Sequence, residues 1–233
     1  MGSLEGKAAL VTGGSRGIGA AVAAKLAALG AQVAVTYQNT KPDNGFAIQA
    51  DSADADAVVA AVDETAAEFG RLDVLVNNAG VFQVGPLEDL GREAFDHTMA
   101  VNVRAPFLAA RAAARHMRGG GRIISIGSNV AVYAPFAGFA LYSASKTALI
   151  GMTKGLAREL GPLGITANIV NPGPIDTGMN PANGPMADTI RGLTALGRYG
   201  QPEEIAEVVA ALAGDAGAYV TGASVNADGG FTA

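Results

Sequence analysis

Cysteine is absent from the 233 residues, so disulfides and thiolate metal sites are excluded outright. Histidine is scarce: His97 and His116 are the only two, too few for a histidine-built metal cluster. No basic block occurs and the formal charge is −5, which argues against a nucleic-acid surface. Glycine or a charged residue breaks the longest apolar runs before any reaches membrane-spanning length. The opening "MGSLEGKAALVTGG" has neither the charged-then-apolar pattern of a signal peptide nor the serine or threonine of a myristoylation signal. These absences lead to the expectation of a cytoplasmic protein with no membrane or nucleic-acid partner.

What is present is apolar and glycine-rich. Hydrophobic residues make up 49%, mean hydropathy is +0.27, and the 32 glycines point to many tight turns. The length suits one domain, residues 1–233, with a sizeable core. Short β-branched runs alternate with longer Ala-rich stretches, the pattern of an α/β fold with a parallel sheet. "KAALVT" (7–12), "QVAVTY" (32–37), "FAIQA" (46–50), "LDVLVNNAG" (72–80), "GRIISIG" (121–127), "ITANIVNPG" (165–173) and "ASVNA" (223–227) read as about seven strands. Helices are expected after "GGSRGIG", ended by Gly30, and over 54–69 with Asp54 as N-cap. Others should cover 91–117, where Pro106 should kink the chain, and 142–160 and 203–213. Residues 174–200, rich in Pro, Gly and Asn, read as a mobile flap. Only 38–45, "QNTKPDNG", joins the second strand to the third, whereas a parallel crossover normally needs about a dozen residues or more. Either the connection is cut short or native residues are missing from it.

"TGGSRGIG" (12–19) follows a buried strand and opens a helix, the context of a dinucleotide phosphate loop. Gly13 permits the turn, Gly17 lets backbone amides approach a pyrophosphate, and Gly19 lets helix and sheet pack closely. The positive end of the helix then faces the phosphates. No Gly-Lys-Ser/Thr follows, which disfavours a phosphate-transferring NTPase. A second constellation is "YSASK" (142–146). On a helix Tyr142 and Lys146 share a face, so a nearby ammonium can lower the phenol's ordinary pKa of about 10 and make it a usable acid. The small Ser143, Ala144 and Ser145 leave room for cofactor and substrate. Ser128, just past the fifth strand, lies where parallel sheets keep their sites, whereas Ser125 falls inside the strand.

T-G-x-x-x-G-x-G, "NNAG" (77–80), Ser128 and "YSASK" together resemble the short-chain dehydrogenase/reductase family, across essentially the whole chain. The resemblance implies a Rossmann-like doubly wound fold and reduction of a carbonyl, a ketone or 3-oxoacyl group, with Asn102, Ser128, Tyr142 and Lys146 as catalytic residues. It also implies a nicotinamide dinucleotide bound by Gly13, Ser15, Arg16, Gly17, Ile18 and Gly19, and by Tyr37, Asn39, Asp51, Asn78, Ala79 and Gly80. Tyr142, Lys146, Pro172, Gly173, Ile175 and Thr177 complete that set. Tyr37 replaces the acid that NAD enzymes place at the end of the second strand, and Arg16 suits a 2′-phosphate, so NADPH is expected over NADH. Met179, Met186 and Ile190 could form an apolar lid, and Phe82, Phe136 and Phe139 could line the pocket. Similar enzymes are homotetramers built through the 91–117 and 142–160 helices. Two narrower likenesses compete. Reductases of 3-oxoacyl groups on carrier protein carry basic residues where Arg115 and Arg118 stand, but Leu163 occupies a second such place. "PGPIDTGMNPANGPMAD" resembles a subgroup linked to cyclic-di-GMP binding and biofilm dispersal.

Overall fold

The computed structural model describes residues 4–42, 45–117 and 119–233. Seven parallel strands form one sheet: β1 (Ala8–Val11), β2 (Gln32–Tyr37), β3 (Phe46–Gln49), β4 (Val74–Asn77), β5 (Gly121–Ile126), β6 (Ile165–Pro172) and β7 (Ser224–Ala227). Their order is β3-β2-β1-β4-β5-β6-β7. The central strands are mainly apolar because helices cover both faces. One face packs on α1 (Gly17–Ala28) and α7 (Pro202–Ala213) through Val22, Leu26, Ile205 and Val209. The other packs on α2 (Ala55–Phe69), α4 (Ala105–His116) and α5 (Ala140–Leu160) through Val58, Val62, Ala109, Ala113 and Leu160. The direction of strand ordering reverses between β1 and β4, so a crevice opens at their carboxyl ends, where such sheets bind ligands.

Local sequence explains the boundaries. Asp54 caps α2 as expected, its Oδ1 accepting from the amides of Asp56 (2.9 Å) and Ala57 (3.2 Å). Over 91–117 the chain is less regular than the sequence suggests. It runs as α3 (Arg92–Met99), then a π-helical turn over Ala100–Arg104, then α4. Proline 106 lacks the amide that would reach the carbonyl four residues back, that of Asn102, so the helix widens upstream of the proline itself.

The 38–45 connection carries no helix among its described residues; 43 and 44 lie outside them. Register removes the expected need for a dozen residues. Only Ala34–Tyr37 pairs with Phe46–Gln49, so the chain returns about 10 Å along the sheet and one strand across. Eight residues span more than that, at ~3.3 Å each. The cost is an edge without a covering helix there: Val33, Phe46 and Ala47 are half-buried while Val35 is buried. Residues 174–200 contain one short helix, α6 (Ala187–Gly192), and are pinned at their base by a bridge between Ile175 and Gly200. No helix among the described residues is long and apolar enough to cross a membrane.

Candidate active site

The glycine loop lies at the carboxyl end of β1. Gly13 has φ +63° and a Cβ there would meet the Ala79 backbone at 3.0 Å; Gly17 has φ +54°. Only glycine adopts both conformations without strain. The loop is braced from behind. Gly13 donates its amide to Thr36 Oγ1 (2.9 Å), and Asn78 Nδ2 donates to the carbonyls of Thr12 (2.9 Å) and Gly13 (3.0 Å). Thr12 Oγ1 accepts from the amides of Asn78 (3.0 Å) and Ala79 (3.1 Å). Asn78 is thus a loop brace, and Thr12 and Thr36 are partners that the sequence reading did not single out; the threonine opening the T-G motif was the available signal. No side chain caps α1 and no acid stands in its first turn, so its positive end is open to an anion. Arg16 is exposed beside it and pairs with no carboxylate among the described residues. Thr177 lies against Gly17, its Cγ2 3.5 Å from where a Cβ would stand, so the segment after β6 closes over the loop. Asp51 is exposed past β3, one oxygen accepting from Ala53 N at 2.8 Å, and Tyr37 ends β2 half-buried, with exposed Asn39 just beyond. These features fit a dinucleotide: two backbone turns only glycine makes, an uncapped helix end, and a guanidinium free for a phosphate.

Beyond β4 and β5 the four proposed catalytic side chains converge. Ser128 is buried near the Tyr142 phenol, which its hydroxyl draws slightly downward in pKa. It also donates to Asn129 Oδ1 (3.3 Å) and accepts from Val130 N (3.4 Å). Lys146 is buried, donates to the carbonyl of Ile126 at 3.0 Å, and lies 5.8 Å from the centre of the Tyr142 ring. Asn102, on the π turn, accepts from Val81 N (2.9 Å) and donates to Val81 O (3.0 Å) and Ser145 Oγ (3.0 Å). Ser145 donates in turn to Tyr142 O at 2.7 Å. Ser145 is therefore a buried link in this chain rather than mere space for ligands, and Ser143 is tied to Val130 O at 2.6 Å. Ser125 sits inside β5, buried, as its position in the strand suggests. Close to these groups, a Cβ on Gly80 would stand 3.3 Å from Asn102 Oδ1 and 3.4 Å from Lys146 Nζ.

Burial shifts both titratable groups. Desolvation pushes the Tyr142 phenol up to about 12, against a smaller downward effect of the Ser128 hydrogen bond. Desolvation also lowers Lys146 to about 8. The expected lowering of the phenol by the lysine charge is thus outweighed. The ammonium is spent on the Ile126 carbonyl, and removal from water penalises the phenolate more than a cation beyond the ring repays.

Elsewhere, Gly173 admits the Asp228 backbone at 2.6 Å from a would-be Cβ, which locks the segment following Pro172 against the end of β7. Ile175 is buried. Of the two basic residues expected to grip an acidic carrier, Arg115 pairs with Asp63 at 3.1 Å, and Arg118 lies outside the described residues. Ser15 and Ile18 are half-buried within the loop and the first turn of α1.

A parallel sheet with an open phosphate loop at its switch point and a Ser–Tyr–Lys cluster opposite defines a dinucleotide-dependent oxidoreductase. A family model described as Enoyl-(Acyl carrier protein) reductase matches residues 13–232. The Cyclic-di-GMP-binding biofilm dispersal mediator protein of Escherichia coli is 47% identical over 241 residues, covering 100% of both chains. That alignment is longer than this chain, so the relative has residues without a counterpart here. D-threitol dehydrogenase of Mycolicibacterium smegmatis is 40% identical, covering 98% of this chain and 94% of its own. A short-chain dehydrogenase from Burkholderia cenocepacia, solved in complex with NADP, is 52% identical with a TM-score of 0.96 over 99% of both chains. The chain belongs to the short-chain dehydrogenase/reductase family of NAD(P)-dependent oxidoreductases.

Proposed function

We propose that this protein is an NADPH-dependent reductase of a ketone or other carbonyl compound, with Tyr142 as the acid. The observation that carries this reading is the gathering of Tyr142 with the buried Ser128 and Lys146, the ammonium 5.8 Å from the centre of the Tyr142 ring, beside the open loop. When bound, the reduced nicotinamide supplies a hydride to the carbonyl carbon. Negative charge then builds on the carbonyl oxygen, which accepts a hydrogen bond from Ser128 Oγ and the proton of the Tyr142 hydroxyl, giving the alcohol. Lys146 Nζ returns a proton to the phenol oxygen and regains one from water, while Asn102 and Ser145 hold the helix turn that carries Tyr142. A phenol held up to about 12 stays protonated at neutral pH, so it holds the proton that reduction consumes.

The reading is tested by the pH dependence of kcat/KM for ketone reduction. Lys146 is charged below about 8 and neutral above, so the rate should hold a plateau below that pH and fall as pH rises through it. A rate that climbs across that window would contradict the assignment.

Arg16 is assigned to the 2′-phosphate, with Asn39 nearby; Gly13, Ser15, Gly17, Ile18 and Gly19 to the pyrophosphate; and Asp51, Asn78, Ala79 and Gly80 to the adenosine side. Pro172, Gly173, Ile175 and Thr177 are assigned to the nicotinamide, and 174–200 acts as a lid hinged at the Ile175–Gly200 bridge. The Burkholderia relative's NADP complex supports NADPH as cofactor. Replacing Arg16 with Ala should weaken NADPH binding about tenfold to a hundredfold, the worth of a charge-assisted pair, and leave NADH binding within about twofold. Titration of each reduced cofactor by its fluorescence reads this directly; equal losses for both would remove Arg16 from the phosphate. Assembly as a homotetramer through α4 and α5 is part of the same proposal.

The second reading, a cyclic-di-GMP-binding regulator, is favoured by the likeness to the E. coli protein. The acyl-carrier reading is weakened by the Arg115–Asp63 pair and by the exposed Leu163.

A further inference from the structure

The loop following β4 and the loop leading into α5 lie side by side, tied by Gly85 N donating to Gly138 O at 3.0 Å. Between them runs a ladder of aromatic rings that ends on the proposed acid. Phe82 meets the Tyr142 ring edge-on, with centroids 4.8 Å apart and planes at 83°. Phe139 packs on Phe82 at 5.9 Å and 65°, and Phe136 on Phe139 at 6.3 Å and 42°. The ladder is not core: Phe82 is 43% exposed and Phe136 36%. Val84, Val132 and Tyr133 are also exposed on these two loops, and Met179 and Met186 on the facing flap. A folded chain of this kind gains nothing by leaving such rings wet beside a catalytic group unless something apolar is to cover them.

Charge is missing from the same surroundings. Residues 80–87 and 127–145 contain no Asp, Glu, Lys, Arg or His, and 177–187 contain none either. Three cations of the surrounding elements are committed elsewhere: Lys146 to Ile126 O, Arg191 to Asp188, and Arg198 to Glu204. A ligand carrying phosphates or a phosphopantetheine arm would find no counter-charge at this mouth, and a small polyol would leave the rings exposed. Because Phe82 packs on the Tyr142 ring, a carbonyl whose oxygen reaches the Tyr142 hydroxyl has that ring within reach of one of its substituents.

We infer that the substrate of the proposed reductase is a ketone bearing an aryl group, taken up flat against Phe82, and that Phe82 is the residue that selects it. This rests on the carbonyl-reductase reading of the site. Aromatic pairs add a modest geometric preference to simple burial, so the effect belongs in a ratio rather than in a loss of activity.

The test measures kcat/KM with NADPH for an aryl methyl ketone, an alkyl methyl ketone of similar volume, and an acetoacetyl thioester of coenzyme A. The wild-type protein should prefer the aryl ketone to both others by about tenfold or more. In Phe82→Leu the aryl-to-alkyl ratio should fall about three- to tenfold, and in Phe82→Tyr, which keeps the ring, it should stay within about twofold. NADPH affinity measured on each variant separates a folding defect from a change in selection. A wild type that prefers the alkyl ketone or the thioester, or a Leu variant with an unchanged ratio beside intact NADPH binding, overturns the inference while leaving the reductase standing. Failure to reduce any of the three with NADPH bound removes the reductase reading, and this inference with it.

Discussion

Tyr142→Phe should lower kcat for ketone reduction by about a hundredfold to ten-thousandfold, the usual worth of a positioned general acid, while NADPH still binds. The substitution deletes one oxygen from a side chain whose ring is held edge-on by Phe82 and whose backbone carbonyl accepts from Ser145. Neither contact depends on the hydroxyl, so the fold should survive. Ser128 keeps Asn129 Oδ1 and Val130 N as hydrogen-bond partners. Steady-state rates and NADPH titration on the same preparation make the comparison. A rate within about tenfold of wild type would show that another group delivers the proton.

Lys146→Met should lower the same rate by at least about a hundredfold and yet raise the melting temperature by a few degrees. The ammonium is buried, has one recorded acceptor, the Ile126 carbonyl, and is driven down to about 8 by desolvation. A depressed lysine pKa means that the charged form is disfavoured in the folded state, by about 3 kcal/mol at neutral pH. Methionine fills nearly the same volume without that penalty, although it leaves the Ile126 carbonyl unpaired at a cost of about 1–3 kcal/mol. The balance lies on the side of the variant. The sign extends to pH: between about 8 and 10.5 the unfolded chain binds more protons at this position than the native one. Wild-type stability should therefore gain from this group as pH rises through that window, and the Met variant should lack the gain. Thermal unfolding at several pH values measures both; a variant that melts lower at neutral pH would mean the lysine is structural rather than functional. Stability given up at a reactive group is a common trade.

The fold was legible in the sequence because burial on two faces makes the strands mainly apolar and β-branched: "VLVN", "RIISI" and "ITANIVNP" declare themselves by composition. Asp54 was legible as a cap and Ser125 as a strand residue. The site was legible as a set of types and spacings, Ser128 with Tyr142 and Lys146. What spacing could not carry was environment. Two residues a helical turn apart suggest a lysine that acidifies a tyrosine, but the sign of the shift depends on how much water each loses and on where the ammonium points, here at Ile126. Likewise Pro106 was visible, yet its effect falls four residues upstream, where the widened turn sets Asn102 against Val81 and Ser145. The 38–45 connection looked short enough to leave either a cut-down crossover or missing residues open, because a crossover length was assumed without knowing that only four residues of each strand overlap. Asn129 has no signal at all in a single sequence, since its bond to Ser128 appears only once the chain turns after β5.

The central claim is that hydride passes from a bound nicotinamide to a carbonyl at this cluster, and transfer from NADPH deuterated at the nicotinamide C4 reads it most directly. Incubation with an aryl ketone, followed by mass analysis of the product, should give an alcohol with one deuterium on the carbinol carbon from one face of the labelled cofactor, formed at least about a hundredfold more slowly with Tyr142→Phe. Labelled NADPH that binds and is recovered intact, with no deuterium in any alcohol across the ketone panel, would contradict the account and leave a nucleotide-binding regulator in its place.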